Sequence, residues 1–218
     1  YIKKVTQELG VSFQAIGPMY TRFAASTKGT VLEGQKTRDV FESIAKTSLV
    51  MGMSTEETEG AMRALTQMVS KGTIQAEELR GQFGERVPGA FKLFADSMGV
   101  STAQLSKMLE LGQVAPERLA EFQKFLTNAV GPQVAKATET LQAYINRLAN
   151  EWLFLKQAFA EAGAANEASA FVKDLTRFLT VLEEVMKGAK KAGQGFFETM
   201  ANAAGAAVGL SFFGTLNG

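Results

Sequence analysis

Twice in the first half of the chain a glycine is followed two residues on by a serine, and three residues later by Glu or Gln: Gly52-x-Ser54-x-x-Glu57 and Gly99-x-Ser101-x-x-Gln104. Each set stops one helix and starts another. The glycine takes the left-handed turn that closes a helix, and Ser and Glu/Gln then satisfy each other's free backbone N–H groups at the next start. Gly72 before Gln75-Ala-Glu-Glu and Gly112 before Pro116-Glu117 repeat the pattern, with proline near a first helical position. Boundaries this close confine residues 11–127 to short packed helices. The intervals between these glycines are 20, 27 and 13 residues, which excludes a solenoid of fixed period.

No window alternates apolar and polar residues over a strand's length, whereas helical stripes recur. Val40, Phe41, Ile44, Ala45 and Ser48 share one helix face, as do Ala61, Ala64, Leu65 and Met68. After Gly131-Pro132 the character changes. Val134, Leu141, Leu148, Leu155 and Ala162 recur every seven residues, and Thr138, Ile145, Trp152 and Phe159 stand four after the first four of them. That is an a/d seam, the pattern of a coiled coil or long packed helix. "EAGAANEAS" follows as a link, then a second seam of Phe171, Leu175, Phe178, Leu182 and Val185. Two seams and a short link predict an antiparallel helical hairpin, the alternative being that a seam pairs with another copy. Trp152 is large for a two-helix seam and is expected to touch the N-terminal cluster. The predicted fold is all-α: a helical module over 1–131, a long hairpin with coiled-coil-like seams over 132–187, and a Gly/Ala-rich apolar segment over 188–218.

Composition narrows the chemistry. Lys+Arg 23 against Asp+Glu 22 leaves a formal net charge of +1, so there is no basic footprint for nucleic acid. With no cysteine and no histidine, neither a Ser-His-Asp nor a Cys-His nucleophile pair is available, nor a His-ligated zinc. No cofactor motif is present. Tyr1 in place of Met reads as the start of an internal fragment, and nothing behind it reads as a signal peptide.

The stretch "AEELRGQFGERVPGAF", 76–91, is the one candidate site. Gly81, Gly84 and Gly89 do not fit a phosphate-binding loop, and no strand leads in. Glu85 beside Arg86 offers a lysozyme-type general acid, but such an acid needs an apolar pocket and a second carboxylate. The structural reading is a helix corner: Gly81 and Gly84 loosen a helix, Val87-Pro88 restarts it, and Arg80, Glu85 and Arg86 solvate or staple the bend. Farther on, residues 199–218 carry no charge and include Gly205-Ala-Ala-Val-Gly209, a close-packing motif for helices in lipid. In water this segment is expected to fold back on the hairpin and to meet a membrane only when released.

The wording of 76–91 carries a family resemblance. Gln67-Met68-x-Ser70-Lys71-Gly72, then Ala76-Glu77-Glu78-Leu79-Arg80-Gly81-Gln82 and Gly84-Glu85-Arg86-x-Pro88-Gly89-Ala90-Phe91, closely resemble the N-terminal domain of phage tail tape measure proteins. Met98-Gly99-Val100, Leu105-x-Lys107-Met108-Leu109 and the helix "LQAYINRLANEWLFLKQAFAEAG" continue the resemblance over about 9–165. It implies a non-enzymatic virion protein that lies inside the tail, and in the host cytoplasm during assembly. It would set tail length, organise tube assembly and contribute to DNA ejection. The partners implied are tail assembly chaperones, the tail tube protein, tail initiator or baseplate proteins and further copies of itself, with the host membrane reached through 199–218. A peptidoglycan hydrolase module working with carboxylates, or a non-viral helical adaptor, is the alternative.

Overall fold

The structure, a computed structural model, describes residues 1–161 and 168–191, with side chains described over 1–158 and 176–187. Every regular element among them is helical. In order these are α1 (Ile2–Leu9), α2 (Phe13–Thr27), α3 (Gln35–Met51), α4 (Thr55–Ser70), a π-helix (Glu77–Phe83), α5 (Ala90–Ser97), α6 (Thr102–Glu110), a 3₁₀ turn (Pro116–Arg118), α7 (Leu119–Thr138), α8 (Leu141–Glu161) and α9 (Ala168–Lys191).

The chain divides into two compact units, one from Ala15–Ala135 and one from Tyr1–Gln14 with the described residues from Lys136 onward. In the first, α3 packs on α4, α4 on the π-helix, and α5 on both the π-helix and α6. The two stripes read from sequence are what these helices bury: Val40, Phe41, Ile44, Ala45 and Ser48 on α3, and Ala61, Ala64, Leu65 and Met68 on α4. Both predicted capping boxes form. Ser54 Oγ accepts from Glu57 N while Glu57 Oε2 accepts from Ser54 N, and Ser101 and Gln104 do the same. Gly52 and Gly99 take the left-handed conformation ahead of them. Under the bend between α4 and α5, Phe122 of α7 meets Phe83 edge-on at 5.9 Å and Phe94 at 4.9 Å, all three rings buried.

In the second unit α8 packs against α1 and against α9. Ile145 and Leu148 of α8 share a core with Val185 of α9, flanked by Leu141, Tyr144, Phe178, Val181 and Leu182. Leu179 and Met186 stand exposed on α9.

Four expectations need correction. Residues 1–14 belong with α8 and α9 rather than with the short helices that follow them. Pro132 lies inside α7 instead of opening a new region. The break comes at 139–140, where Thr140 Oγ1 accepts the Ala143 N–H and so starts α8; Val134 is therefore on α7, off the seam. Trp152 rests against Phe178 of α9, with ring centroids 5.6 Å apart, and the aromatic that meets the N-terminal residues is Phe154, edge-on to Phe13 at 5.1 Å. Last, α5 restarts at Ala90 after Gly89, not at Val87-Pro88. The Phe159 and Phe171 side chains, the 162–167 link, and Gly205 and Gly209 lie outside the described residues. Among those described, no helix is long and apolar enough to cross a membrane.

Candidate functional site

Two constellations are assembled by this fold, one in each unit. The first is the corner. Over 77–83 the backbone widens into a π-helix, and Gly84 N extends the wide spacing by donating to Leu79 O five residues back at 3.0 Å. A wide turn needs room at its end, and a Cβ on Gly84 would stand 2.6 Å from the Arg80 carbonyl oxygen. Leu79, Phe83 and Val87 are wholly buried beneath it, while Gly81 is partly covered and Glu77, Pro88 and Gly89 are exposed.

The charged residues of the corner have separate tasks. Arg80 lies over the Phe91 ring at 4.3 Å and donates to Ser106 Oγ at 2.8 Å, tying the π-helix to α5 and α6. Arg86 donates to the Gln82 carbonyl and fills a notch on α4 where Gly60 has no side chain; a Cβ there would strike the guanidinium. Glu85 is exposed, so it lacks the apolar pocket a general acid requires. The buried acid is Glu78. It is fully enclosed, pairs with Lys71 through Oε1, and its Oε2 has no hydrogen-bond partner among the described residues.

The Glu78 hydrogen bond and charge hold the Lys71 ammonium above its ordinary pKa of 10.5. A raised lysine contributes stability that is present below its unfolded value, so the contribution persists through neutral pH and fades as pH climbs past the raised value. Lys71→Met alone strands the buried carboxylate. It is expected to lower the denaturant midpoint more than Lys71→Met combined with Glu78→Met, because replacing both partners removes the desolvated charge. Equal midpoints for the two variants would show that Lys71 is not what compensates Glu78.

The second constellation is a clasp on α8. Arg147 donates through Nε to the Gln7 carbonyl at 2.7 Å and through Nη2 to that of Glu8 at 3.2 Å. Asn146 Nδ2 reaches the Gly10 carbonyl at 2.9 Å. Asn150, 2% exposed, donates to the Val11 carbonyl and accepts from the Phe13 N–H, each at 2.8 Å. The last carbonyls of a helix have no partner within it, and α1 receives its partners from α8. Gln7 also donates to the buried Glu151, which Arg177 of α9 approaches at 3.9 Å. Sequence reasoning placed Ile145, Leu148, Trp152 and Leu155 on the seam but assigned nothing to Asn146, Arg147, Asn150 or Glu151. The available signal was two asparagines one turn apart on α8, off its apolar seam.

Chemically, both constellations hold helices in place. Among the described residues no group of three or more acidic side chains gathers in a way that would hold a metal ion.

Residues 1–161, which include both the corner and the clasp, match a family model described as "Tape measure protein". Over 138 residues the chain is 37% identical to a "Probable tape measure protein" of Salmonella phage Felix O1 (isolate Felix O1-VT1). That alignment takes in 59% of this chain and 18% of the relative, so the chain spans less than a fifth of the relative's length. No solved structure matches.

Proposed function

Because the chain belongs to the tape measure protein family, we propose that it is a folded module of a phage tail tape measure protein, one that attaches and organises the length-setting part without itself serving as ruler. The observation that carries this reading is the frequency of helix breaks. A ruler converts residues into length, and a continuous helix supplies about 1.5 Å per residue. From α2 to α7 the helices are at most 20 residues long and fold into a compact unit. Tail assembly chaperones, the tube protein and the tail initiator are the partners this role calls for, with several copies together in the tail interior and DNA ejection as a later task. The role is structural, and the acids of the corner suit it: Glu78 is locked in an ion pair, and Glu77 and Glu85 lie in the open. The finer architecture proposed for α8 and α9 is an antiparallel hairpin. It is supported by early α8 residues sharing a core with Val185 while Trp152, later in α8, meets Phe178, earlier in α9.

The test is tail length. Deleting residues 1–161 from the full-length phage protein is expected to abolish or misinitiate tails. Deleting an equal length of continuous helix elsewhere should leave tails intact and about 240 Å shorter. Normal tails shortened in that proportion by loss of 1–161 would make this segment part of the ruler and sink the proposal.

A further inference from the structure

We infer that the clasp on α8 is a receptor for the end of a helix, and that residues 1–14 are an arm which one copy of this chain can seat in the clasp of another. This inference does not depend on the tail-length reading. The first observation is what the clasp reads. Asn146, Arg147 and Asn150 together make five hydrogen bonds to the arm, and every arm atom involved is main chain: the carbonyls of Gln7, Glu8, Gly10 and Val11 and the N–H of Phe13. A site that reads a helix end and its turn accepts that shape from any chain that presents it. The second is shape. Gly10, at φ 65°, lies so close to α8 that a Cβ would fall 2.5 Å from Ala143 Cβ, so the turn fits only with glycine in it.

The third observation is where the arm joins the rest. The division between the two units falls between Gln14 and Ala15, inside α2. Pro18 stands one turn on, in α2, with Gly17 before it. Proline has no N–H to give the Gln14 carbonyl, and it disfavours helical backbone at the residue before it, so α2 is weakest at the root of the arm. The arm's contacts are identical whether the α8 it meets is its own or a partner's. Exchange between copies therefore costs association entropy and creates no new strain at the clasp. The partner this geometry fits is a second copy of the chain, joined through a hinge at 14–18.

Complementation between two variants of this 218-residue chain tests this. Gly10→Val spoils the arm and leaves the α8 receptor whole; Arg147→Ala with Asn150→Ala spoils the receptor and leaves the arm whole. Each is expected to sediment as a monomer alone, and an equimolar mixture as a one-to-one heterodimer joined by a single good arm. A mixture that stays monomeric while both variants show helical circular dichroism would overturn the inference. So would either variant alone associating as strongly as the mixture. A measurement on the unaltered chain guards against variants that fail to fold. The Phe13 amide, held by Asn150, is expected to exchange with deuterium roughly tenfold or more faster than that of Leu148 in α8, because the arm opens by itself. Equal rates would mean that arm and helix open only together, and the arm would not be separable.

Discussion

Phe122→Ala is expected to lower the unfolding free energy of the short-helix unit by about 4 kcal/mol, within the range for removing a buried aromatic ring. Phe122 is 1% exposed and is the residue on which the corner converges, meeting Phe83 from the π-helix and Phe94 from α5. Its loss removes the ring's own transfer free energy and two aromatic contacts, and leaves a cavity between elements held apart by their own backbones. Phe122→Leu is expected to cost less than half as much, since it keeps most of the volume. Denaturant unfolding followed by circular dichroism measures both. A loss below about 1 kcal/mol for the alanine variant would mean that the bend between α4 and α5 is held by its ion pairs and turns rather than by the ring cluster.

Gly10→Val is expected to give the other large effect, a loss of about 3 kcal/mol that reads on the docking of α1. Two costs add. Any other residue at φ 65° carries left-handed strain of about 1 kcal/mol, more when β-branched. The new side chain also meets Ala143 Cβ at 2.5 Å and Cα at 2.8 Å, and a helix backbone cannot step aside as a flexible side chain can. Ala143→Gly in the same chain should restore only part of the loss, because the clash with the α8 backbone and the strain both remain. Full rescue would assign the whole effect to the Cβ pair. Gly60→Ala is an instructive contrast: there the obstacle is the far end of Arg86, which can swing out, and alanine is the better helix former.

What could be read in advance followed from the range of the interactions. The stripe from Val40 to Ser48 and that from Ala61 to Met68 lie within single helices, where side-chain position follows from the helical period alone. Ser54–Glu57 and Ser101–Gln104 close over three residues, so their partners are adjacent in any helix that starts there. The corner was legible as a bend for the same reason. Its π-helix was not, because the extra residue per turn is accommodated by the packing of Leu79, Phe83 and Val87 beneath it. Glu78, one of two adjacent glutamates, could be told from Glu77 as the buried one only once α4 had brought Lys71 alongside.

The amino-acid sequence by itself thus determined that the regular elements among the described residues are helices, most of the helix boundaries, the inward faces of α3 and α4 and, through the wording of 67–91, the family. Each of these is written in neighbouring residues and survives without knowledge of any distant contact. Only the tertiary structure decided that Tyr1–Gln14 leaves the helices that follow it and joins α8, that Asn150 turns its amide to the Val11 carbonyl and the Phe13 N–H across 139 and 137 residues, and that Val134 falls off the seam. The physical reason is that an asparagine or arginine on a helix face is nearly as stable in water as against a free carbonyl. Which it meets depends on where the rest of the chain puts an unsatisfied helix end, and no local pattern encodes that.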